Sequence, residues 1–203
     1  MKKMKILFLA VCTFMAFQTA FGQAEVAIGI KGGLNFANVD ASSVGAAYNS
    51  RTGYHGGAFV LFKLSKIGIQ PELILSQQGT TVKINTTNFD SNFSYMNIPV
   101  ILKLYLVGGL NLQAGPQFGF LTKATGPIID ASGNVTTGDI KNKLKSSDIS
   151  VALGAGWDLP FGLNIDARYN LGVSDVNNTA NANAIKNQVF QLSVGYKLFK
   201  FGK

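Results

Sequence analysis

Apolar and polar residues alternate along most of this chain with a period of two, the spacing of a strand that is buried on one face only. Residues 26–37 set Ile28, Ile30, Leu34 and Phe36 against Gly29, Lys31, Gly33 and Asn35. Residues 94–105 set Met96, Ile98, Val100, Leu102 and Leu104 against Tyr95, Asn97, Lys103 and Tyr105. The pattern recurs over 109–124, where Lys123 falls on the polar side with Asn111, Gln113 and Gln117, and again over 148–159, 162–173 and 187–199. Residues 54–64 are less clean, because Phe59 and Leu61 share a face with His55 and Lys63. The stretch GIQPELILSQQG, 68–79, places Ile69, Pro71, Leu73 and Leu75 opposite Gln70, Glu72, Ser76 and Gln78, with Ile74 breaking the alternation. It completes a set of eight strands.

The connections alternate in length. Long polar segments (38–53, 80–93, 125–147 and 174–186) are separated by tight turns at Ser65–Lys66, Val107–Gly109 and Pro160–Phe161. That is an up-and-down meander with two unlike ends, and it predicts an all-β fold, an eight-stranded antiparallel transmembrane β-barrel. A soluble barrel of lipocalin type shares the meander but reverses the faces, apolar inside and polar outside. Polar faces rich in glycine suit a narrow lumen, and continuous Leu, Ile, Val and Phe rows suit lipid. Tyr105, Trp157, Phe161, Tyr196 and Phe199, near strand ends, are expected in a membrane girdle. A closed barrel has no edge to hold Pro71, Pro99 and Pro116, so each is expected at a bulge or a lost ladder bond.

The first residues, MKKMKILFLAVCTFMAFQTAFG, have the basic start, apolar run and small-residue end of a secretory signal peptide. Residues 1–22 are therefore read as a cleaved signal and 23–203 as the barrel domain. Cys12 is the one cysteine, so the exported chain carries no disulfide. Loss of Lys2, Lys3 and Lys5 lowers Lys+Arg from 18 to 15 against 10 acidic residues, a net charge of about +5. In an exported protein that excess favours anionic lipid headgroups or glycans over nucleic acid.

The segments GIKGGLNFAN, YHGGAFVLFKLS, IQPELILSQQG, YMNIPVILKLYL, GLNLQAGPQFGFL, LGAGWDL, LNIDARYNLGVSDV and VFQLSVGYKL, in that order, resemble the PorT-like outer-membrane β-barrel family of Bacteroidetes-type bacteria. The resemblance covers the chain after the signal. It implies an outer-membrane location and a barrel fold but no particular activity, since a subset of the family is associated with protein secretion. The last strand runs on through Phe199 and Phe201 to Lys203, where outer-membrane proteins more often end on the aromatic itself.

Convergent catalytic chemistry is sparse. The single histidine, His55, has no Ser or Asp partner at motif spacing, and one histidine with scattered carboxylates makes no metal site. No catalytic residue, metal or cofactor is assigned. The distinctive groups are charges on the polar faces: a lumen network of Lys31, Glu72, Lys103, Asp166 and Arg168, flanked by Lys63 and Asp158. Isolated charges in a narrow interior are expensive, so Glu72 is expected to pair with Lys31, Lys103 or Arg168. Such a network either fills the lumen or lines a small pore. Lys141, Lys143 and Lys145 in KNKLKSSD are either solvated or a docking point for an anionic partner. The expected function is a non-enzymatic, monomeric outer-membrane protein in contact with lipid, binding a surface glycan or protein through its extracellular loops. The alternatives are a small transport or secretion-associated channel and a barrel-embedded enzyme using His55.

Overall fold

The computed structural model describes residues 24–40, 48–84, 87–129, 135–173 and 186–202. The signal-peptide expectation for 1–22 lies outside these residues. Among them run β1 (Ala24–Asp40), β2 (Tyr48–Leu64), β3 (Ile67–Ile84), β4 (Thr87–Tyr105), β5 (Leu110–Ile129), β6 (Val135–Asp139), a 3-10 turn at Lys141–Lys143, β7 (Ser147–Asp158), β8 (Leu163–Gly172) and β9 (Lys186–Gly202). Each wall strand pairs antiparallel with its neighbours, β1 with β9 closes the circle, and β6 pairs only with the far end of β5. The wall is thus an eight-stranded ring that closes on itself, so each wall strand finds its ladder partners inside the sheet apart from local gaps.

The residues on the two faces decide what the ring encloses. Lys103 and Asp166 are fully buried inside, whereas Leu75 is 65% and Val194 54% exposed outside. The interior is polar and the exterior apolar, the reverse of a lipocalin. From Leu110 to Phe120 the outward face of β5 climbs roughly 25 Å for a strand tilted by about 40°, the height of an outer-membrane apolar band. Trp157, Phe161, Tyr196, Phe199 and Phe201 are exposed at its short-turn end, and Trp157 Nε1 donates to Gly108 O at 2.9 Å. Phe36 and Phe190 stack at a tilt near the loop end, 6.2 Å between centroids. Among the described residues no helix is long and apolar enough to cross a membrane; strands do the crossing.

Several expectations from alternation change. Tyr105 lies inside, not in the girdle, and donates its hydroxyl to Asp158 Oδ2 at 2.9 Å. Lys123 points outward, because a bulge between Ser94 and Tyr95 on β4 and Leu121 and Lys123 on β5 inserts Thr122 and reverses the phase. A second bulge, opposite Ile28 and Gly29, accommodates Leu198, so Leu198, Phe199 and Phe201 all face out. Phe59 and Leu61 are buried in the lumen with Ala27, a small apolar plug among polar groups. The segment 80–93 is less a loop than an extended hairpin, since β3 pairs with β4 as far as Ile84 and Thr87.

The prolines interrupt the ladder without shifting its register. Pairing lapses between β2 and β3 beside Pro71, between β3 and β4 beside Pro99, and between β4 and β5 beside Pro116, and resumes on the same register each time. Each proline keeps its pairing with the following strand and loses it towards the preceding one. The three gaps lie side by side across neighbouring strands. They are lost ladder bonds, not bulges.

Candidate functional site

The inward face of each strand delivers every second residue to a lumen only wide enough for side chains. At mid-height Glu72 from β3 accepts two hydrogen bonds from Arg168 on β8, Nη1 to Oε2 at 2.9 Å and Nη2 to Oε1 at 2.7 Å. Gln70 Nε2 donates to the same Oε1 at 2.7 Å, and Lys31 Nζ on β1 stands 3.4 Å from it. Lys31 lies closer, 2.8 Å, to Asp166 Oδ2. Gln113 on β5 holds the group together from the side, accepting from Arg168 Nε at Oε1 and donating from Nε2 to Asp166 Oδ1 at 2.6 Å.

Lys103 does not reach Glu72. It pairs with Asp158 Oδ1 at 3.1 Å and Asp166 Oδ1 at 3.7 Å, one layer nearer the short turns. In that layer Lys197 bridges Asp158 and Glu25 at 3.2 and 2.8 Å, and the Lys63 ammonium sits 4.2 Å over the Tyr105 ring. Lys31, Lys103 and Arg168 thus face Glu72, Asp158 and Asp166, three positive charges against three negative, from five different strands. Each is buried, and each meets an opposite charge within 3.4 Å or less. Space for these long side chains comes from glycines on the inward faces. A Cβ on Gly156 would collide with Gln113 Nε2, Asp166 Oδ1 and Asn111 Oδ1.

Towards the loops, amides and hydroxyls replace charges. Asn35 donates from Nδ2 to the backbone carbonyls of Tyr54 and Gln77 at 3.2 and 3.0 Å, which fixes the orientation of its amide. Its Oδ1 is therefore the acceptor for His55 Nδ1–H at 2.8 Å and for Gln191 Nε2 at 2.9 Å. That leaves His55 Nε2 as an acceptor, 2.8 Å from Ser193 Oγ. The His55 partners invisible to motif spacing lie 20 and 138 residues away in sequence. They are brought together by the register His55↔Gly33↔Ser193 across β2, β1 and β9, and a side chain on Gly33 would strike the Leu192 carbonyl. The order hydroxyl, imidazole, amide is similar to that of a hydrolytic triad, with an amide where a serine triad holds a carboxylate. All three residues are buried, and Gln191 and Ser76 occupy further positions around Asn35.

Above this layer a recess of about 10 Å³, the room one water-sized group requires, is lined by Gln78, Tyr95, Asn97, Gln117, Asp148, Ser150, Asn170 and Val189. Asn97 Nδ2 and Asn170 Oδ1, both buried, meet no hydrogen-bond partner there. Beside it, Ile140 and Leu144 pack against Tyr95, Leu121 and Ala124. Among the described residues no cluster of His, Cys, Asp and Glu could hold a metal ion.

A polar, charge-balanced lumen inside an apolar wall is the architecture of a bacterial outer-membrane barrel, and the family model for the outer membrane protein beta-barrel domain matches residues 18–178. The chain belongs to that family. Its place is the outer membrane. Among solved structures it is similar to Neisserial surface protein A, with 12% identity and a TM-score of 0.55 over 85% of this chain and 99% of that one. It is also similar to Ail, the attachment invasion locus protein of Yersinia pestis, at 19% identity and a TM-score of 0.43, covering 88% of this chain and 99% of that one. A third is OprG of Pseudomonas aeruginosa, at 13% identity and a TM-score of 0.44, covering 89% of this chain and 97% of that one. At 12% identity the likeness to Neisserial surface protein A is one of fold. No curated protein sequence matches the chain.

Proposed function

We propose that this outer-membrane barrel is a non-enzymatic, monomeric structural and binding protein. Its wall contacts lipid, its lumen is sealed by the ion-pair core, and its extracellular loops bind a glycan or protein at the cell surface. The observation that carries this reading is the bidentate Arg168–Glu72 pair, tied to Lys31, Asp166 and Gln113 across the lumen. It occupies the cross-section that a conducting pore would need open, which weighs against a transport or secretion-associated channel. The order of the eight quoted segments supports the narrower placement among PorT-like proteins of Bacteroidetes-type bacteria. The test of the binding role is a glycan and surface-protein array probed with the folded barrel and with a variant whose 125–147 segment is replaced by a short turn. Binding that disappears in the variant supports the loop reading, and binding that persists unchanged contradicts it.

The Ser193–His55–Asn35 chain favours a second reading, a barrel-embedded hydrolase, since the tautomer imposed by Asn35 leaves His55 Nε2 ready to accept the serine proton. Against it stands the burial of Ser193, which gives an ester no approach in this conformation. A fluorophosphonate probe separates the two. Labelling of the folded barrel that is lost in Ser193→Ala would establish the enzyme, and an unlabelled wild type leaves the binding role in place.

A further inference from the structure

The bulge that turns Lys123 outward is a built feature. Regular alternation from Gln117 and Gly119 through Leu121 would have sent Lys123 into the lumen. Instead Thr122 is inserted, and its hydroxyl donates to the Ser94 carbonyl at 2.8 Å, pinning the two strands where the register changes. Leu121 and Ala124 both stay inside, where Ile140 and Leu144 pack against them. Lys123 leaves the wall just past Phe118 and Phe120, the last exposed apolar residues of β5 before the loop end. In an outer-membrane barrel that is the height of the lipid headgroups.

The segment after β6 is tied to the same spot. Ile140 N donates to Ala124 O at 3.1 Å, and Leu121 N donates to Ser146 O at 2.9 Å, so the turn carrying Lys141 and Lys145 is anchored to β5 on both sides of Lys123. Lys141 N is held by Asp139 Oδ1 at 2.8 Å, and Lys145 is exposed. The acidic groups nearby are Asp139, exposed and bonded to that backbone, Asp90, exposed on β4, and Asp148, buried and facing the recess.

We propose that Lys123, with Lys141 and Lys145 on the anchored turn, forms a rim that binds the phosphate-bearing headgroup of a lipid in the outer leaflet. This rests on the loop end facing outward. Phosphate suits the site because lysine ammoniums recognise it as point charges, and a wall that already holds the acyl chains brings the headgroup to them.

The test uses the full barrel, folded in dodecyl maltoside and checked by its mobility without boiling. It is titrated with a di-phosphorylated lipid A, with phosphatidylcholine and with inorganic phosphate. Wild type is expected to retain lipid A in preference to phosphatidylcholine, with an affinity that falls as salt rises. Lys123→Glu with Lys141→Glu and Lys145→Glu should weaken it at least about tenfold, while the triple arginine variant keeps it. An unchanged affinity in the glutamate variant overturns the proposal, as does equal retention of phosphatidylcholine. Displacement by inorganic phosphate at the lipid's own concentration would replace the lipid with a free anion. A wild type without the unboiled mobility shift would fault the barrel, whereas a shift with no lipid preference faults the rim alone.

Discussion

Arg168 and Glu72, 96 residues apart in sequence, meet across the lumen through two hydrogen bonds of 2.9 and 2.7 Å. A guanidinium fork against a carboxylate is the geometry in which a buried pair gains most from its desolvated surroundings. The pair is less a source of net stability than a commitment, because each member would be stranded without the other. Glu72→Ala, which leaves Arg168 its bond to Gln113 and, as opposite charge, only the 3.6 Å contact with Asp166, is expected to cost about 3–5 kcal/mol. Glu72→Leu combined with Arg168→Met should cost less than either single change. Urea unfolding of the barrel in lipid vesicles measures the double variant and each single change, and single changes within about 0.5 kcal/mol of wild type would refute the interdependence.

Two buried asparagines should respond very unequally to the same substitution. Asn35 uses both ends of its amide, donating to Tyr54 O, Gln77 O and Ser76 Oγ and accepting from His55 and Gln191. Asn97 carries a buried Nδ2 without a partner. Asn35→Leu strands several groups at once and is expected to destabilise by about 3 kcal/mol or more, whereas Asn97→Leu should change stability by less than about 1 kcal/mol. The same unfolding assay reads both. A larger loss for Asn97→Leu than for Asn35→Leu would show that the recess matters more than the layer beneath it.

Trp157, the one tryptophan of the chain, is exposed at the short-turn rim with its indole N–H on Gly108 O. Its fluorescence should shift to the blue on folding into vesicles. Lipids brominated near the headgroup should quench it more strongly than lipids brominated at the chain ends. Equal emission in water and in vesicles, with no quenching by any brominated lipid, would place the girdle wrongly.

The strand count and the polarity of the faces were legible in the sequence because a period of two is written directly into residue order. Glu72 beside Pro71 is the clearest example: the charge reads as inward from phase alone. What phase could not supply was a break in phase. Thr122 and Leu198 insert single residues, so the outward positions of Lys123 and Phe199 could not be read from alternation. Tyr105 was claimed by both a girdle and an inward face, and Asp158 settles it by accepting its hydroxyl. The pairing of Glu72 with Lys31 and Arg168, while Lys103 goes to Asp158, depends on strand stagger, which no local pattern encodes. His55 found Ser193 and Asn35 for the same reason, through cross-strand register instead of spacing along the chain. The three prolines were legible as interruptions, but that they leave the register unshifted belongs to the ladder itself.

The proposed sealing of the lumen is tested most directly by single-channel recording of the purified, folded barrel in planar bilayers. With Lys31, Glu72, Asp166 and Arg168 locked together at mid-height, wild type should give no stable ion-conducting steps, while Glu72→Ala combined with Arg168→Ala, which empties the middle of the core, should conduct. Steady conductance in the wild type that is abolished by changing Glu72 or Arg168 would contradict the account and make the same residues the lining of a pore.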